Sequence, residues 1–469
     1  MRTSPIRLLA IGALAAATSL SLVAQQQPPP AAQPPSQPPA QQQPTDVTVR
    51  LEGVGGLPPK LAIAPFVAAS SDAETVAAAK TITDVLFDDL AFEREFYMIG
   101  KDVTATVPRL TSIDEVQMDR WRELNANGLV IGSVQKTANG AIVRIKVIEV
   151  GSGRTSMGKE YSGSIANPRL YAHTISDEIH QQLRGLKGVA RTKLAFTSDR
   201  DAERMKGPQG DREIKEIYLT DYDGAGPKRV TVSRTLNVAP VWSPDGQALA
   251  YTSYRMGQFS VFQDIIVSLL YKGVRQTPLD GDPNKQNYLP AWSPDGSKMA
   301  FTSNRDGNPE IYVVNRDGSG LRRLTNHSAI DSTPTWNPAG TQIAWTSDRT
   351  GNPQIWLMNA DGTGQRKLTS ESWCDRPTWS PEPFNEIGYA SRTGAGFDIK
   401  IYSFAKGEST RVTDGIGTNE SPAFAPNGRH IAFTSTRNGR QQIFTIARDG
   451  NDLRQITHEG NNGYPNWSR

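Results

Sequence analysis

Hydrophobic and polar positions along this chain follow four successive patterns, and each predicts a different kind of structure. Leu8–Val23 is an apolar run behind Arg2 and Arg7 that ends at Ala24, with the charged start and short apolar centre of a secretory signal. It is too short and too rich in Ala and Ser for a membrane span, so residues 1–24 are expected to be a signal peptide removed on export. An uncleaved anchor competes with this reading, because Leu22 is a poor residue three positions before a cut that follows Ala24. No Cys follows the run for lipidation, and no adjacent Arg pair marks twin-arginine export. Residues 25–45 are then almost wholly Gln, Pro and Ala; they cannot bury a core, and their prolines favour an extended tether. A spacer accounts for them better than a Pro-rich docking ligand.

From Asp46 to about residue 190 both the strand and the helix periods are present. Val47–Leu51 alternates as a strand, and Lys60–Phe66 is a second, mostly buried one closed by Pro65. Ser71 or Asp72 can cap a helix with Val76, Ile82, Val85, Leu86 and Leu90 on its apolar face, and Phe96–Gly100 returns as a strand. Ser112 and Glu115 read as a capping box for a helix through Trp121 and Leu124, stopped by Gly128 before the strand Leu129–Val134. Asn139-Gly140 is a hairpin turn into Ala141–Val150, and Asn167-Pro168 starts a helix through Leu170, Ile175, Ile179 and Leu183 that ends at Gly185. The sum is an α/β domain over residues 46–190, a small sheet covered by helices.

The fourth pattern is a repeated phrase, clearest at Pro290–Thr325: Pro-x-Trp-Ser-Pro-Asp-Gly, then Met-Ala-Phe-Thr-Ser-x-Arg, Glu-Ile-Tyr-Val-Val-Asn-x-Asp-Gly and Arg-Arg-Leu-Thr. Its heads recur at Pro240, Pro290, Pro334, Pro377, Pro422 and Pro465, and the last four steps match the roughly 40–45-residue period of four-stranded propeller blades. Ser-Pro-Asp-Gly and Asn-x-Asp-Gly-x-Gly supply the tight turns. The second strands are Leu194–Ser198, Leu249–Ser253, Met299–Ser303, Ile343–Ser347, Ile387–Ser391 and Ile431–Ser435. The first of these has no inner strand before it, and the last head, Tyr464–Trp467, has no second strand after it. Together they complete one blade, so residues 191–469 predict an all-β six-bladed β-propeller closed by its C-terminal strand. Met256–Pro278 departs from the phrase, with a long apolar strand at Ile265–Tyr271 and a wider loop.

Composition removes several function classes. A chain of 469 residues has room for two or three domains, and a net charge of +3 with interleaved acids and bases argues against nucleic acid as a partner. The single cysteine, Cys374, allows no intramolecular disulfide and reads as a packing residue. His173, Asp177 and His180 share a helical face at metal-like spacing. There is no His-Glu-x-x-His beside them, and a solvated helix face explains the same letters. The Asp-rich turns Asn315–Gly320 and Asn359–Gly364 lack the distal Glu of a calcium loop. No Gly-x-Ser-x-Gly occurs, and no hydrolase-length segment remains beside the propeller, so neither a catalytic residue, a metal nor a cofactor is assigned.

Propeller geometry places a candidate partner site. The link from each outer strand to the next inner strand must reach the central channel, so the residues before each head proline ring its mouth. These include Gln286, Asn287, Tyr288, Ser332, Thr333, Asp375, Arg376, Asn419, Glu420 and Tyr464, with Arg305, Arg349 and Arg437 in the second-to-third-strand loops on the same face. Mixed charge, amides and a Tyr at such a mouth suit a polar protein partner.

The repeat phrase, the export signal and the small α/β domain resemble the TolB family, the periplasmic propeller proteins of the Tol–Pal system. The junction Arg169–Glu178, Leu183–Ala190 and Arg191-Thr192 is similar to that family's domain boundary, as are Ala126–Val134 and Val47–Phe66. The resemblance covers nearly everything from Asp46 onward. It implies a non-enzymatic periplasmic adaptor that supports outer-membrane integrity and constriction at division, and the chain is expected to be a monomer. Its implied partners are a Pal-type peptidoglycan-associated lipoprotein at the propeller and a TolA-type inner-membrane protein at the N-terminal strand. The matching positions for the latter are Asp46, Val47, Val49 and Leu51, which here follow a Pro/Gln tether. A stand-alone exported propeller that binds a glycan or another envelope protein, or one accessory to a peptidase, remains the alternative on fold alone.

Overall fold

The computed structural model describes residues 57–206, 211–256, 261–270, 274–276 and 284–469. The signal, the tether, the strand through Asp46, Val47, Val49 and Leu51, and parts of Met256–Pro278 lie outside the described residues. Among the described residues no helix is long and apolar enough to cross a membrane.

The N-terminal part is one mixed sheet of β1 (Lys60–Ile63), β2 (Val67–Ala68), β3 (Tyr97–Met98), β4 (Gly128–Thr137), β5 (Gly140–Glu149) and β6 (Thr155–Gly163), in the order β3-β1-β4-β5-β6 with β2 beside β4. β1 runs parallel to β3 and β4, and β4, β5 and β6 form an antiparallel meander. The helices are α1 (Ala73–Glu93), α2 (Lys101–Thr104), α3 (Met118–Glu123) and α4 (Pro168–Ile179). Asp72 caps α1 by accepting the Thr75 N–H at 3.0 Å. Ala78, Ala79, Ile82, Val85, Leu86 and Leu90 of α1 share a core with Ile175, Ile179 and Leu183 and with Val130, Val143 and Val147 of the sheet. Val76, expected on that face, is exposed, because the buried stripe passes through Thr75, Ala78 and Ala79 and leaves position 76 to one side. Leu170 is exposed likewise.

The capping box does not form. Ser112 Oγ accepts the Asp114 N–H at 3.1 Å in a local turn, and α3 starts only after Gln117, with no side-chain cap. β6 had no clear signal, since most of its residues face water at the sheet edge. α4 continues as a π-turn at His180–Arg184 and closes on Gly185, whose left-handed φ of 66° costs glycine least.

The remainder is six four-stranded antiparallel sheets. The second strands predicted from the repeat occur at Lys193–Ser198, Ala248–Met256, Lys298–Ser303, Gln342–Ser347, Glu386–Thr393 and His430–Ser435. Blade one is made of Lys193–Ser198, Glu216–Asp221, Lys228–Arg229 and the C-terminal strand Asn462–Trp467, which pairs with the first of these through Asn462↔Ser198 and Trp467↔Leu194. The ring closes by joining the two ends of the propeller sequence, as the phase of the repeat predicts. Neighbouring blades pack face to face: Ile431, Phe433, Phe444 and Ile446 of blade six pack on Ile399, Ile401 and Val412 of blade five.

The last turn of α1 sits on the closing seam. Phe92 shares a core with Val189 and Ala190, with Leu194, Phe196, Tyr218 and Tyr222 of blade one, with Ala432, Ile443 and Ile456 of blade six, and with Trp467. Buried Glu93 accepts the Val189 N–H at 2.7 Å, Asn427 Nδ2 at 2.9 Å and Arg429 Nη2 at 2.5 Å.

Candidate functional site

Each inner strand begins with a buried residue, Asn or Asp in five blades and Cys374 in blade five, runs through a left-handed residue to the head proline, and ends at an aromatic residue. The left-handed positions are Ala239, Leu289, Thr333, Arg376, Ser421 and Tyr464, all at φ between 52° and 55°. This conformation costs an L-residue about 1–2 kcal/mol and must be held by its surroundings. The repeat's Phe-Thr-Ser run supplies the hold: Leu289, Thr333, Arg376 and Tyr464 donate their N–H to Thr252, Thr302, Thr346 and Thr434 of the preceding blade, at 2.9–3.3 Å. The resulting bulges shift the register of every inner strand and bring the six prolines around a central cavity of about 120 Å³.

Arg376 crosses this mouth. Its guanidinium stacks 4.5 Å from the Tyr464 ring centre and donates to the Tyr464 hydroxyl at 3.2 Å and to Ser421 Oγ at 2.9 Å. Tyr288 is half-buried there, and burial pushes its hydroxyl up to about 12. Gln286, Ser332, Asp375 and Glu420 are half-buried beside them, and Asp375 Oδ1 accepts Thr346 Oγ1 at 3.0 Å.

Other residues of the predicted ring are interior. Asn287 and Asn419 are fully buried and accept Ser303 Oγ at 2.9 Å and Ser435 Oγ at 2.7 Å, so they tie the inner strand to its neighbour and present no contact surface. The three loop arginines do the same work from the second strand. Arg305 donates to Asn287 Oδ1 at 2.8 Å and lies 5.2 Å over Tyr312; Arg437 reaches Ser435 and Asp414 and lies 5.3 Å over Phe444; Arg349 pairs with buried Asp331. The sequence shows these as polar residues near a mouth, and only the packed blade reveals that each has a donor or acceptor waiting inside it.

The same face carries apolar residues that the sequence reading passed over. Val232, Ile330, Trp373 and Ile416, in the crossovers that lead into inner strands, are 67%, 50%, 36% and 56% exposed. Trp373 stands edge-on to Phe397 at 6.3 Å. Ile330 and Trp373 each occupy the position immediately before an inner strand, a signal that lining up the repeats by phase could have exposed. Blade one also has a hairpin, Arg204–Met205 paired with Arg212–Glu213, between its second and third strands at residues 199–215, where blade three spans only 304–309. With Val238, Tyr254 and Tyr464 it borders a cleft of about 600 Å³.

Neither reading of His173, Asp177 and His180 holds. All three side chains are largely enclosed, so they form no solvated face, and among the described residues no group of His, Cys, Asp or Glu converges on a metal position. His173 turns to Asp89, Asp177 accepts the Ala190 N–H at 2.9 Å, and His180 bonds the Ser176 carbonyl at 2.9 Å. Cys374 is buried, and burial pushes its thiol up to about 11, away from thiolate chemistry.

A family profile described as the TolB beta propeller domain matches residues 180–469, and one described as the TolB amino-terminal domain matches residues 47–156. The Tol-Pal system protein TolB of Bordetella avium is 34% identical over 412 residues, 87% of each chain. That of Desulfosudis oleivorans is 32% identical over 267 residues, 56% of this chain and 57% of its own length, and the alignment to the Haemophilus influenzae protein spans 48% of that protein. The crystal structure of TolB from Acinetobacter baumannii superposes with a TM-score of 0.73 at 26% identity, covering 87% of this chain and 96% of that one. Sequence profile, overall identity and fold agree, and the chain belongs to the TolB family.

Proposed function

We propose that this chain is a non-enzymatic periplasmic adaptor of the Tol–Pal envelope system. In this reading a Pal-type lipoprotein docks on the channel-mouth face of the propeller, and a TolA-type protein takes the strand around Asp46, Val47, Val49 and Leu51. The observation that carries the reading is the composition of that face. A half-buried polar ring of Ser332, Thr333, Asp375, Arg376, Glu420 and Tyr464 is bordered by the exposed apolar side chains of Ile330, Trp373 and Ile416. Protein interfaces of moderate affinity combine a few aromatic or aliphatic anchors with a hydrated polar surround in this way. The TolB-family neighbours and the lack of a Gly-x-Ser-x-Gly motif support an adaptor over a hydrolase.

Pull-down from envelope extracts with the exported protein tests the reading. Recovery of a Pal-type lipoprotein, abolished by Trp373→Ala together with Glu420→Ala at unchanged thermal stability, is the outcome it requires. Recovery of a glycan or an unrelated partner, with no such lipoprotein even at low salt, would sink it.

A further inference from the structure

Helices α1 and α4 meet blade one around a single group of charges, with Asp89 and His173 buried at its centre and Arg169, Lys193, Asp221 and Asp223 partly exposed at its rim. Asp89 of α1 accepts the Tyr222 hydroxyl at 2.7 Å on one oxygen and faces His173 Nδ1 at 2.8 Å on the other. On its far side His173 Nε2 lies 3.8 Å from Asp221 Oδ2 and 3.4 Å from Arg169 Nη2. Arg169 in turn donates to Asp223 at 2.6 Å, and Lys193 donates to Asp221 at 2.6 Å. Asp89, Arg169 and His173 belong to the helices on the N-terminal sheet, whereas Lys193, Asp221, Tyr222 and Asp223 belong to blade one. Glu93, one turn further along α1, is satisfied separately by Arg429 and Asn427.

The charges of this group balance only with one more proton. Three carboxylates, Asp89, Asp221 and Asp223, face two permanent cations, Arg169 and Lys193, which leaves a net charge of −1. A proton held between Asp89 and His173 brings the sum to zero. It does so whether it rests on the imidazole, favoured by the two aspartates, or on the carboxylate, favoured by Arg169 beside Nε2. Without it Asp89, almost fully enclosed, keeps only neutral donors for a charge that burial disfavours.

We infer that this proton is a latch: the Asp89–His173 pair tightens the N-terminal helices against blade one while protonated, and its loss in alkali loosens that contact without unfolding either part. The direction of titration agrees. Burial disfavours a charged His173, but the nearby Asp221 carboxylate and the bond to Asp89 outweigh burial and push it up to about 9, and burial raises Asp89 as well. The contact is therefore at full strength below the ordinary histidine value near 6.5 and is lost as pH rises through about 9.

Hydrogen–deuterium exchange on the full chain from pH 7 to 10, corrected for the hydroxide-catalysed intrinsic rate, tests the latch. Amides at the junction, such as Tyr222 and Val189, should lose protection about tenfold per pH unit between about pH 7 and pH 9 and level off above it, while Ile131 and Phe433 inside their sheets keep theirs. His173→Gln keeps a neutral donor for Asp89 but removes the imidazole, so its junction should exchange faster than native at pH 7 and lack the native step between pH 7 and pH 9. The 15N shifts of His173 and the 13C shift of the Asp89 carboxyl decide the matter in the native protein, even where the variant does not fold. At pH 8 one of the two groups must hold the proton. Corrected protection that stays flat to pH 10, or both groups deprotonated at pH 8, overturns the proposal.

Discussion

Replacing Phe92 by Ala isolates what the last turn of α1 contributes to the propeller. The ring is enclosed at the seam of blades one and six, 4.1 Å from the His430 ring, 4.8 Å from Tyr222 and 4.9 Å below the Arg454 guanidinium. Truncating a buried Phe in such surroundings costs about 3–5 kcal/mol, since backbone and strands close the cavity only in part. With an unfolding entropy of about 2.1 cal/mol/K per residue, spread over the matched propeller region 180–469, this corresponds to a fall in melting temperature of roughly 5–8 °C. Differential scanning calorimetry of the native protein and the variant reads it directly, with Val76→Ala, at an exposed position of the same helix, as the control. The loss should appear in the propeller transition, because Leu194, Ile443 and Trp467 line the cavity left behind. A shift below 1 °C, or one confined to an N-terminal transition, would contradict the view that α1 staples the closing seam.

Deleting Tyr464–Arg469 removes the pairing of Trp467 with Leu194 and the Trp467 Nε1–Thr192 bond, so the whole propeller should lose cooperativity; an unaltered melting curve would refute closure by the C-terminal strand. Asp331→Ala strands the largely enclosed Arg349 without its carboxylate and should cost about 3–5 kcal/mol in urea unfolding. Asp331→Asn should cost less, because Asn fills the same position in blades one, two, three and six. Burial holds His430 near 3 and His180 near 4. Both are neutral when folded and protonate near 6.5 when unfolded, so stability present above pH 6.5 is lost as pH falls toward 4. His430→Asn should flatten that slope when melting is followed from pH 7 to pH 4.

The six-bladed ring was legible because every blade repeats one phrase and the phase of that phrase states where the ring closes. Tight turns and fully buried strands are local properties, so Ser-Pro-Asp-Gly and Phe-Thr-Ser announce themselves. The N-terminal elements were mostly legible too, except where a signal was spent elsewhere: Ser112 satisfied its own turn instead of capping α3, and β6, facing water at the edge, had no alternation to show. The mouth was legible as a place but not as a surface. Asn287, Asn419, Arg305, Arg349 and Arg437 are polar letters whose partners come from neighbouring strands, which a linear reading does not bring together. Conversely, Ile330 and Trp373 looked like ordinary strand flanks until the bulge at Thr333 and Arg376 turned the chain inward and left them outside. The buried histidines misled for the same reason: at i, i+4 and i+7 they suggest one shared face, yet Asp89, Ser176 and the backbone of Ala190 claim the three residues separately.

The most direct test of the adaptor reading is a hydrogen-exchange footprint of the full chain with and without a purified Pal-type lipoprotein. The account predicts new protection in the crossovers that hold Ile330, Trp373 and Ile416 and in the ring from Ser332 to Glu420, with the head turns on the opposite face unchanged. Protection confined to those head turns, or none at saturating lipoprotein, would contradict it.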